Sequence, residues 1–179
     1  MPEGIELPET EHERGDNPFL VPVSVTISTL AVLVAGVTLM SHRAHTEELL
    51  RQSQAANRWA QYQAKSVRQH TTEKSAEIVS IVAPLNKEIG EAVEKKNEAE
   101  LEHYKADKED ITKDAKDLEA DRDLAGRKAD RFDGGEALLE VGLVICSLTL
   151  LTKKRLFWIG GMVIAAAGLG FALTGFLLH

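Results

Sequence analysis

Ninety-three consecutive residues, Ser41 to Asp133, are mostly polar and heavily charged, and apolar stretches hold them at both ends. Phe19 to Met40 precedes them, 22 residues without a charge; Gly135 to Thr152 and Leu156 to Leu178 follow. A stretch of ~20 apolar residues is enough to cross a ~30 Å hydrocarbon core as a helix. With three crossings, Ser41 and Asp133 lie on the same side. A single unbroken helix of that insert would end ~140 Å away at 1.5 Å per residue, so the insert has to double back. The expected fold is an all-α membrane protein with three transmembrane helices and a long antiparallel, coiled-coil-like helical hairpin between the first and second. Its parts are an acidic tail over 1–18, spans over 19–40, 135–152 and 156–178, and the hairpin over 41–133.

Composition matters here only through its segregation. Hydrophobic residues make up 44% and charged residues 27%, but the spans hold almost none of the charge. The net charge of −7 argues against a nucleic-acid surface, which needs a clustered basic face. Cys146 is the single cysteine and lies inside the second span, which excludes a disulfide framework or a cysteine-based metal site. The tail carries six acids, Glu3 to Asp16, against Arg14, with three prolines and no apolar periodicity. It reads as disordered, and its acidic start is unlike a signal peptide.

Two of the spans carry small residues at steps of three and four. Ser24, Ser28, Ala31, Ala35 and Thr38 mark one face of the first; Gly161, Ala165, Gly168, Ala172 and Gly175 mark one face of the last. In lipid, where hydrophobicity drives little association, such stripes are helix-packing faces. The middle span carries Glu136, which can sit at the interface, and Glu140 one turn deeper. An intramembrane carboxylate is a functional candidate. Its expected partners are Arg43, His42 and His45, which leave the first span on the same side; a structural ion pair or a snorkelling side chain is the plainer alternative.

Breakers straddle the midpoint of the insert, residue 87: Pro84, Asn86 and Gly90. The turn is therefore expected within Ala83 to Gly90, with a kink nearer Thr71–Thr72 as the competing layout. Leu101, Tyr104, Lys108, Ile111, Ala115, Leu118, Arg122, Ala125, Ala129 and Phe132 follow 3-4 spacing without a slip, a heptad seam with polar insertions at Lys108 and Arg122. Residues 41–83 hold 6 basic and 4 acidic side chains, residues 84–133 hold 11 and 16, and the opposite net signs favour pairing of the arms.

No phosphate-binding loop, dinucleotide glycine fingerprint or nucleophile elbow occurs. His42-x-x-His45 lacks a third metal ligand at a suitable spacing. No catalytic residue, cofactor or metal site is expected. Lys153, Lys154 and Arg155 fill the short loop between the last two spans, beside Phe157 and Trp158. The positive-inside rule makes that loop cytoplasmic, which puts the hairpin in the periplasm and the N-terminus in the cytoplasm. Arg43 and Arg51, with Arg127, Lys128 and Arg131, oppose this, but long inserts obey the rule weakly.

The stretch AANRWAQYQAKSVRQH, Ala55 to His70, and LTKKRLFWIGG, Leu151 to Gly161, resemble the bacterial membrane proteins of domain-of-unknown-function family 4337. The likeness covers nearly the whole chain. It implies a bacterial inner-membrane protein and supplies no activity, cofactor or catalytic residue. Trp59, Tyr62, Gln63 and Ser66 become the candidate partner surface, unless Trp59 and Tyr62 pack between the arms or at the headgroups. The leading expectation is a non-enzymatic scaffold or accessory subunit, homo-oligomeric or docked on a larger membrane complex, with the lipid bilayer its other partner. An oligomeric channel or transporter element using Glu140 is the alternative.

Overall fold

The computed structural model describes residues 18–82 and 87–178. The tail, apart from Pro18, and residues 83–86 of the expected turn lie outside the described residues. What is described is helical: α1 over Leu20–Val82, α2 over Lys87–Thr152, α3 over Arg155–Thr174, and a closing 3₁₀ turn, Gly175–Leu177. Each of the three helices contains a window long and apolar enough to cross a membrane, with mean hydropathies of 2.2, 1.7 and 2.0.

The boundaries drawn at 40/41 and 133/135 are not breaks. α1 runs through Ser41 as one helix of 63 residues and α2 runs through Gly134–Gly135 as one of 66. Nothing between Met40 and Arg43 interrupts helical hydrogen bonding. The two glycines cost only ~1 kcal/mol each in helix propensity, and Gly135 sits in close contact with α3. α1 also continues through Thr71–Thr72, so the chain does not turn back there. Within the first apolar stretch the hydroxyls of Ser24, Thr26, Ser28 and Thr29 donate to carbonyls one turn back, at 2.8–3.1 Å. A polar side chain satisfied in this way is tolerated in an apolar medium.

Contacts between α1 and α2 run antiparallel, each step up one helix being a step down the other. Arg51, Arg58 and Lys65, seven residues apart, meet Asp121, Asp114 and Asp107, also seven apart; the first two contacts are 3.5 and 3.3 Å. Nearer the apolar end Ser41 hydrogen-bonds Asp133, and Thr38 donates to Glu136 at 2.6 Å. All ten positions of the 3-4 seam on α2 are buried or half-buried.

α2 is the middle helix. α1 lies along both its apolar and its charged sections, α3 only along its apolar end, and α1 and α3 barely touch. Leu30 of α1, Leu139 and Cys146 of α2 and Ala165 of α3 form the core of the apolar end. Ala44, Ala129, Phe132 and Ala172 form a second cluster where the charged arms begin. The link from α2 to α3 is two residues long. Lys153 takes a left-handed conformation (φ 55°), and its N–H donates to Thr149 O at 2.8 Å. This closes the helix end in the manner usually given to glycine.

Candidate interaction site

The two small-residue stripes have different fates. Gly161, Ala165, Gly168 and Ala172 of α3 and Gly175 of the closing turn are all buried. They lie against Gly135, Leu138, Gly142 and Cys146 of α2 so closely that a Cβ on Gly161 would stand 2.7 Å from Gly142 O. On α1, Ser24, Ser28, Ala31 and Ala35 are exposed, and only Thr38 is half-buried. The face of α1 that packs within the chain is instead the large-residue one, with Val23 and Leu30 buried and Ile27, Val34 and Val37 against the core. The physical reason is width: α2 presents Leu139 and Leu143 to α1 but glycines to α3, so large side chains fill one seam and bare backbone the other.

The carboxylates also resolve differently from expectation. Glu140 is exposed, and neither Arg43, His42 nor His45 pairs with it. It stands one residue past buried Leu139, about 100° around the helix, at the level of apolar Val34 rather than of the cations. Glu136 accepts from Thr38, and His45 Nε2 meets Asp133 Oδ2 at 2.9 Å while its Nδ1 faces Glu48 at 3.5 Å. Arg43 and His42 are exposed. The hydrogen bond to Asp133 raises the His45 pKa above its ordinary 6.5, against the opposing effect of burial. Asp133 is held below its ordinary 3.8, first by the Ser41 hydroxyl and then by His45.

Of the candidate partner surface, three residues turn toward α2. Trp59 Nε1 donates to Glu119 at 2.8 Å and stacks edge-on to Tyr62 at 5.7 Å. Lys108 Nζ lies 4.7 Å over the Tyr62 ring and reaches Gln69 and Ser66. The seam lysine is thus held by a ring face and uncharged oxygens. Gln63 alone of the four is exposed. Among the described residues no group of three or more histidine, cysteine or acidic side chains is placed to hold a metal ion.

The sequence reading passed over Asp133 and the Arg51–Arg58–Lys65 ladder. A seven-residue recurrence of cations on one arm and aspartates on the other was the available signal.

A family model, domain of unknown function (DUF4337), matches residues 19–178, which takes in all three helices and both arms. The chain belongs to the DUF4337 family. No curated protein and no solved structure matches it. The matched residues take in the α2–α3 glycine seam, the ladder and the Trp59–Ser66 segment together.

Proposed function

We propose that the chain is a non-enzymatic, three-span integral membrane protein of the bacterial inner membrane, a scaffold or accessory subunit that projects a helical hairpin and self-associates. The observation that carries this is the flank of α1 bearing Ser24, Ser28, Ala31 and Ala35. The 3-4 seam and the α3 stripe are consumed inside the chain, whereas this stripe of small residues is left uncovered. Aromatic rings beside arginines at both ends of the apolar section support the membrane reading. Arg155 lies over Phe19, which meets Trp158 edge-on; Arg131 lies over Phe171, and Phe132 meets Phe176. Residues 131 to 152 separate the two belts by about 30 Å along α2. The basic Lys153–Arg155 loop is then cytoplasmic and the hairpin periplasmic.

The test is cysteine cross-linking in native membranes. Ala31→Cys and Ala35→Cys should form covalent dimers under mild oxidant, because a disulfide needs Cα atoms within about 7 Å. Val163→Cys, exposed on α3, should not. Equal cross-linking at all three positions would sink the reading.

A second reading, an oligomeric channel or transporter element, rests on Glu140. It is an exposed carboxylate one turn beyond Glu136, hence on the flank where Thr38 meets Glu136. Self-association through that flank brings the Glu140 side chains of neighbouring copies together. Glu140→Gln would then alter ion flux in reconstituted vesicles; flux at the empty-vesicle level in both forms removes this reading.

A further inference from the structure

The opposite flank of the apolar section holds a different feature. Because α1 and α3 barely touch, a groove of about 300 Å³ runs between them, floored by Leu139 and walled by Thr29 and Leu33 of α1 and by Met162, Ala166 and Leu169 of α3. At one end Trp158 Nε1 donates to Thr26 Oγ1 at 3.3 Å, the one side-chain hydrogen bond between these two helices among the described residues. Beyond that tryptophan lie Lys153, Lys154 and Arg155, all exposed, in a link without an acidic residue. Met162 is seven residues from Arg155, so the groove opens about 10 Å from the cations and continues for about 10 Å more to Leu169.

We propose that this groove, with the cations at its mouth, is a binding site for one anionic phospholipid. The proposal rests on the membrane reading above. An apolar groove that faces hydrocarbon is filled, since a void forfeits the dispersion contacts of every atom lining it. What selects the occupant is charge. Three cations at one end and none along the walls match a phosphate headgroup attached to an apolar chain, with Trp158 at the level of the interface between them. A helix from a second copy would match the walls and leave the cations unanswered. The groove residues Thr26, Thr29 and Leu33 and the small residues Ala31 and Ala35 lie on opposite sides of Leu30 around α1, so lipid binding here and self-association there do not compete.

The experiment uses the full chain in mild detergent with phosphatidylglycerol or phosphatidylcholine added. Native mass spectrometry should show phosphatidylglycerol retained at one per chain in preference to phosphatidylcholine. Lys153→Gln with Lys154→Gln should erase most of that preference, roughly fivefold per cation. Ala166→Trp, which fills the groove from an exposed position, should abolish retention of either lipid with the helical content unchanged. Equal retention of the two lipids, or a preference that survives the double lysine variant, overturns the proposal. So does covalent dimerisation of Thr29→Cys in membranes, which would mean a second copy occupies the groove. Failure of the membrane reading is separately visible, as release of the chain from membranes by alkaline carbonate.

Discussion

Gly160 and Gly161 are neighbours in sequence and opposites in surroundings, and the pair measures what holds α3 in place. A Cβ on Gly161 would stand 2.5 Å from Cys146 Sγ, 2.7 Å from Gly142 O and 2.9 Å from Cys146 N. The sulfur can rotate away; the two backbone atoms cannot. Restoring Gly142 O to an ordinary 3.4 Å contact requires α2 and α3 to part by about 0.7 Å. A gap of that size forfeits about a quarter to a half of the dispersion attraction of the contacts it opens. Overpacking of this kind costs about 1–3 kcal/mol, and on the membrane reading no hydrophobic gain offsets it. A Cβ on Gly160 meets nothing within 4 Å, so Gly160→Ala should be neutral or stabilise the helix by up to about 1 kcal/mol.

Gly161→Ala is therefore expected to unfold more easily than Gly160→Ala by at least about 1 kcal/mol. The assay is reversible unfolding in mixed micelles, followed by helical circular dichroism and by Trp158 fluorescence. Gly142→Ala should behave like Gly161→Ala, since its Cβ would stand 2.8 Å from Gly161 O and 2.9 Å from Ala165 N. Once the helices have parted for one substitution, the other adds less, so the double variant should cost less than the sum. If Gly160→Ala and Gly161→Ala unfold alike, the close α2–α3 seam is not what secures α3.

Three further outcomes follow from named contacts. His45 has a raised pKa, so its contribution is full below about pH 6.5 and fades as pH rises through its folded-state value. Asp133 has a lowered one, so its contribution is present above about pH 3.8 and is lost as pH falls through its folded-state value. The pair should hold α1 to α2 best between those limits, by under about 1 kcal/mol because both side chains are close to half exposed. His45→Gln should flatten the decline of stability above pH 6.5; an unchanged pH profile would remove the clamp. Reversing one rung of the ladder, Arg58→Asp, should weaken the arms. Adding Asp114→Arg should recover most of the loss in chemical unfolding of the whole chain, and no recovery would show that the rung carries no coupling. Lys153→Gly, which relieves a left-handed non-glycine residue, should raise the thermal midpoint, whereas Lys154→Gly at an extended residue (φ −96°) should not.

What could be read beforehand from the chain was whatever had a polarity contrast or a backbone signature. The 3-4 seam of α2 stands out because charged residues border it, and Gly161 to Gly175 stand out because glycine marks close approach. The packing face of α1 had neither. Val23 and Leu30 differ from exposed Val25 and Val32 in nothing the chain writes down, because in hydrocarbon both faces of a helix are apolar. A stripe of small residues tells that something can approach closely and is silent on whether the partner is the same chain. Glu140 was misassigned for a geometric reason. Ser41 and Asp133 lie equally far from residue 87, and so do Thr38 and Glu136. The same mirror sets Val34, not a cation, opposite Glu140.

The two helix seams divide the work unequally, and that asymmetry connects the fold to its proposed use. α1 is tied to α2 by large side chains in the apolar section and by the three-rung ladder in the charged one. Sliding α1 by one residue would misalign every rung at once. α3 shares no ladder and scarcely touches α1; it is held by the glycine seam to α2 and by the Phe132–Phe176 contact at its far end. On the membrane reading proposed above, a load on the charged arms would pass into the bilayer through α1 and α2 together. The flank of α1 that the chain leaves uncovered, with Ser24, Ser28, Ala31 and Ala35 exposed, is the one through which the proposed self-association would let copies share that load.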